Sequence, residues 1–169
     1  MTGISGWTCT FYLSVFLLAL APSPLICQYW REARDRGWRW TSRDSRDMYV
    51  RGANTLITAS GISLAVVASS VVRSGTEASG LLAISAKLAV LALLFCVGFS
   101  LVLIMALLRG FERAQSRNIE RQRKAGRPVV AGEGQLSSKE LRLILFSGHL
   151  ALSSFLVGLA FLGRIAWHF

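Results

Sequence analysis

His149 and Lys87 are the two side chains whose type and position invite chemistry, because each sits inside an otherwise uncharged apolar run. An imidazole within a membrane can relay protons or ligate a haem or a metal, and an intramembrane ammonium can mark an ion site. Depth along the helix decides how far to take each. His149 lies about 9 Å from the inner end of its run, Ser100 about 12 Å, and Thr58 and Ser60 about 8 to 10 Å. Ser153 falls one turn beyond His149. The shared level predicts a hydrogen-bonded polar layer made by His149, Ser100, Thr58, Ser60 and Ser153. The expectation is a neutral, packing histidine rather than a ligand. The other histidine, His168, belongs to the opposite end, so bis-histidine haem binding would need two copies of the chain. Lys87 stands about 21 residues back from Arg109, at the outer boundary, where its ammonium can snorkel to water.

No further chemistry is legible. The chain has no glycine-rich phosphate loop, no Ser/His/Asp set, no Cys/His cluster and no pair of intramembrane carboxylates. Cys9, Cys27 and Cys96 lack metal-ligand spacing and fall at different depths, so they read as small apolar residues. No enzyme activity, no metal and no cofactor is expected.

The elements that must position these residues are four apolar runs, 7–27, 53–72, 81–108 and 143–163. Each has at least about the 20 residues that a helix needs to cross a hydrocarbon core. Of the 169 residues, 53% are apolar. The expected fold is a single all-α membrane domain: a polytopic, four-transmembrane-helix up-and-down bundle, with a helical extension of the third span. Pro22 and Pro24 place the end of the first regular helix near Ala21. The first run follows an uncharged start and precedes an Arg cluster, the reverse of a cleaved signal, so it is expected to be retained.

Charge sets the expected orientation. The net charge is +10, and it is concentrated in two loops, 28–52 with seven Arg and 109–142 with nine cations. The positive-inside rule puts both loops in the cytoplasm and both termini outside. In the first loop, Trp38 and Trp40 sit among Arg and acidic residues, which points to a lipid interface rather than to nucleic acid. In the second, Arg109, Arg113, Arg117 and Arg121 recur every four residues as one helical stripe, which predicts contact with an anionic inner leaflet. Gly126 and Pro128 end that helix, 129–138 reads as a flexible loop, and Ser137 with Glu140 forms a capping box.

Small residues four apart, Gly61, Ala65 and Ser69 on the second run and Ser154 and Gly158 on the fourth, predict close helix packing within the chain or with another. The leading functional expectation is therefore a non-catalytic packing or assembly subunit, whose partners are the lipid bilayer and other membrane chains or copies of itself. Two alternatives stand beside it. One is a homo-oligomeric channel or membrane-permeabilising effector lined by the hydroxyls of the second span. The other is a haem- or proton-handling subunit that uses His149.

Overall fold

The computed structural model describes residues 6–20, 22–24, 27–28, 31, 40–74, 80–129 and 133–167. These residues form four helices: α1 (Gly6–Leu20), α2 (Arg43–Ser74), α3 (Gly80–Lys124) and α4 (Ser138–Ala166). Two three-residue strands, β1 (Trp40–Ser42) and β2 (Glu133–Gln135), complete the elements. Three helices, α2, α3 and α4, are long and apolar enough to cross a membrane. α1 is regular over 15 residues, about 22 Å. Pro22 follows it, with a fixed φ and no N–H to continue the ladder.

Large apolar side chains cover the outside: Ile62 and Val66 on α2, Leu91, Leu94, Phe95 and Leu101 on α3, and Phe146 on α4. Water does not tolerate apolar patches of that extent, whereas lipid does. The chain is a multi-pass membrane protein.

α3 is the central helix, contacted by both α2 and α4. α4 runs antiparallel to it, with Gly158 against Leu93 and Gly148 against Leu103. α2 is also antiparallel to α3. Val67 clusters with Ala86 and Ala89 at one end, and Ala53 with Leu103 and Leu107 at the other. α1 lies on α4 in the opposite sense. Phe11 meets Phe161 edge-on at 5.6 Å, and the Ser153 hydroxyl donates to the Ala19 carbonyl at 2.8 Å.

Two stretches differ from the sequence expectation. Helix α2 begins at Arg43, ten residues before its apolar run, so the last ten residues of the first basic loop are helical. Asp44 in its first turn complements the positive end of the helix dipole. The second stretch is 129–138, expected as a flexible loop. It carries β2, which pairs antiparallel with β1, Trp40 opposite Gln135 and Ser42 opposite Glu133.

A ribbon this short is unstable by itself, so its seat on α3 matters. A Cβ at Gly134 would come within 2.6 Å of the Ala114 carbonyl oxygen and 2.7 Å of the Gln115 nitrogen. Only glycine lets the two backbones approach so closely.

Local signals set the other ends. α3 continues unbroken past its apolar run to Lys124. There Gly126 takes φ 62°, the Arg127 N–H donates to the Gln122 carbonyl at 3.0 Å, and the Gly126 N–H donates to the Arg123 carbonyl at 3.2 Å. That is a Schellman closure. α4 opens on the capping box. The Ser137 hydroxyl accepts from the Glu140 N–H, and the Glu140 carboxylate accepts from the Ser137 N–H at 2.7 Å. The connection between the second and third runs falls mostly on 75–79, outside the described residues.

Candidate functional site

The expected polar layer divides. Ser60 and Ser100 have no exposed surface, and Ser153 is buried. Thr58 faces outward, because two residues along a helix is a rotation of about 200°, so it cannot share a face with Ser60. Ser153 spends its hydroxyl on Ala19, whose carbonyl lies in the last turn of α1, where helical partners run out. His149 is half-buried. Its Nδ1 and the Oγ atoms of Ser60 and Ser100 are buried with no hydrogen-bond partner. Each unmatched buried group costs on the order of 1 to 3 kcal/mol. Cys96, one turn from Ser100, is also fully buried and is a free thiol. Among the described residues, no group of three or more His, Cys, Asp or Glu is placed to hold a metal ion.

The Arg-rich end is organised differently. Arg109, Arg113 and Arg121 are exposed along α3, and Arg117 turns back toward α4. Its Nη2 lies 2.8 Å from Glu140 Oε2, and its Nη1 donates to Oε1 at 3.3 Å. The same Nη2 donates to the Gln135 carbonyl at 3.2 Å. One guanidinium thus joins α3, β2 and the start of α4, a use suited to its planar fork of donors. Glu140 is the better shielded partner, its side chain 12% exposed against 40% for Arg117. The carboxylate therefore caps a helix and fixes an ion pair at once.

Arg46 joins α2 to α3 through Phe111. Its guanidinium lies 4.8 Å from the Phe111 ring centroid, and it donates twice to Asp47. Glu120 and Lys124, four residues apart on the outer turns of α3, pair at 2.7 Å, but both side chains are exposed and water screens the attraction. Trp38 lies outside the described residues, and Trp40 stands in β1.

Between α3 and α4, just above these charges, runs a groove of about 380 Å³. Leu101, Met105 and Leu143 line its apolar part, and Arg109, Gly110 and Arg113 its charged end.

The two small-residue faces have opposite fates. On α4, Gly158 is buried, and a Cβ there would come within 2.8 Å of Leu93 Cγ. Ser154 beside it is half-buried. On α2, Gly61, Ala65 and Ser69 are all exposed, and nothing lies within 4 Å of where a Gly61 Cβ would stand. Lys87 is exposed in the second turn of α3.

Three features escape sequence reasoning: the Arg117–Glu140 bridge, the ribbon, and Arg164. The Arg164 guanidinium sits 4.6 Å from the Phe11 ring centroid and 5.7 Å from that of Tyr12, clamping α1 to the end of α4. Only Glu140 carried a legible cue, its place three residues after Ser137. Comparison with known protein families, curated proteins and solved structures finds no match to this chain.

Proposed function

We propose that this protein is a non-catalytic membrane subunit that assembles with copies of itself or with other membrane chains through the outward face of α2. The observation that carries the reading is the exposed strip of Gly61, Ala65 and Ser69, with Asn54, Thr55 and Thr58 on the same side. Small residues let a neighbouring helix backbone approach closely, and lipid offers such a face no comparable packing. Two hydroxyls of the strip are already satisfied by their own helix: Thr55 donates to the Arg51 carbonyl at 3.0 Å, and Ser69 to the Val66 carbonyl at 2.8 Å. The face can therefore dock without stranding those two groups.

In this reading the first apolar run is the fourth crossing, interrupted at Pro22 and Pro24, and both Arg-rich loops face the cytoplasm. The outward Thr58 and Ser69 favour a second reading, in which several copies bring their α2 faces together around a polar path. Ser60 is buried inside the chain and takes no part in such a path.

The test is the particle mass in mild detergent, wild type against Gly61→Leu with Ala65→Leu. The expected outcome is a multi-chain particle that falls to one chain in the variant. An unchanged mass, or a wild type that is already a single chain, would remove α2 as the interface. Leakage from liposomes carrying the wild type, lost in the variant, would select the second reading.

A further inference from the structure

We infer that the groove between α3 and α4 at the Arg-rich end is a binding site for one anionic phospholipid. Its phosphate lies between Arg109 and Arg113, and an acyl chain lies along Leu101, Met105 and Leu143. The site rests on the membrane location of the three long helices and is independent of the α2 face.

The order of chemistry along the groove is the argument. Leu101 to Arg113 spans about 18 Å of α3, apolar for its first half and doubly cationic at its end. Arg109 and Arg113 are four residues apart, so they share one face of α3, their Cα atoms about 6 Å apart along the axis. A lipid has the same order, an anionic phosphate and then hydrocarbon running toward the middle of the bilayer. Basic clefts between membrane helices at the headgroup level suit acidic lipids for this reason.

Volume agrees with charge. About 380 Å³ falls within the range of small-molecule sites, enough for a headgroup and part of a chain.

The one acid at the groove does not cancel the site. Glu140 also lines it, but both carboxylate oxygens are engaged, Oε1 by Arg117 and Oε2 by Arg117 and the Ser137 N–H. No described carboxylate pairs with Arg109 or Arg113. Two guanidiniums held four residues apart can present paired N–H donors to a phosphodiester. A choline headgroup would bring its own cation against them, so the geometry favours phosphatidylglycerol-like lipids over zwitterionic ones.

The test counts lipid retained on detergent-washed protein by native mass spectrometry, titrated with phosphatidylglycerol or acyl-matched phosphatidylcholine. One retained phosphatidylglycerol per chain is expected, with clear preference over phosphatidylcholine. Arg109→Gln with Arg113→Gln should weaken retention about thirty-fold, since each surface cation is worth about a factor of five. Arg123→Gln with Arg127→Gln, both exposed and off the Arg stripe, removes the same charge 14 residues further along the chain, and should leave retention unchanged. Met105→Trp, which fills the apolar part without altering charge, should also weaken it and serves if the Arg variant does not fold.

Equal retention of the two lipids would overturn the site, as would equal loss in both Arg pairs. Full retention in Met105→Trp would move the phosphate out of the groove and overturn it too. Displacement by inorganic phosphate alone would assign the Arg pair to a soluble anion instead of a lipid.

Discussion

The Arg-rich end and the middle of the bundle are held together by opposite means. At the Arg-rich end, the polar groups that join one element to the next are matched: Arg117 with Glu140 and Gln135, Ser137 with Glu140, Arg46 with Asp47 and the Phe111 ring. In the middle, Ser60 and Ser100 are fully buried with unmatched hydroxyls, and order comes from shape, as where Leu93 fills the space beside Gly158. The difference teaches where specificity resides. Matched polar groups cost stability when one is removed. Unmatched ones cost nothing to remove, and there it is volume that matters.

The comparison can be broken at four places. Gly134→Ala carries the largest expected effect. The added methyl meets the α3 backbone rather than a movable side chain, so the ribbon must leave its seat at a cost of about 3 kcal/mol. Hydrogen exchange should then release the amides of 133–135, and continued protection would show that the ribbon can shift intact.

Gly158→Val comes next, at about 2 kcal/mol, because Leu93 has no exposed surface into which to retreat. Thermal unfolding in detergent reads it, and an unchanged midpoint would mean that α3 and α4 slide freely.

Glu140→Ala removes the carboxylate's half of the capping box and the ion pair together, for about 2 kcal/mol, while the Ser137 hydroxyl keeps its bond from the backbone N–H of residue 140. A double-mutant cycle with Arg117→Met separates the two losses. Additive effects would show that the pair contributes nothing beyond the cap.

The smallest effect is expected at Ser100→Ala, neutral or stabilising by up to about 1 kcal/mol, since it removes a stranded hydroxyl. A clear loss of thermal stability there would mean that the hydroxyl has a partner in the membrane, such as a water or His149.

Much of the chain was legible because some signals are local. Ser137 with Glu140 three residues later marks a helix start whatever the rest of the fold does. Gly126 and Pro128 mark an end just as directly, and α3 stops where they stand. The apolar run and the Arg stripe at four-residue spacing read as one continuous helix, and α3 is that helix. The candidate site was legible only in part. Periodicity put Arg109, Arg113 and Arg117 on one stripe, but not the turn of Arg117 toward Glu140, 23 residues away. The ribbon left no trace, because three residues are too few for an alternating pattern to stand out.

Length and hydropathy by themselves determined that this chain belongs in a membrane, since backbone groups in lipid must be satisfied within helices and such helices need long apolar runs. They also determined where helices α3 and α4 meet their polar flanks, through caps that act over a single turn. Only the tertiary structure decided which face of each helix is spent inside the chain. Gly61 and Gly158 carry the same local signal, yet one opens outward and the other receives Leu93. Rotation about a helix axis is set by the neighbour that packs against it, and no residue states that neighbour in its own sequence context.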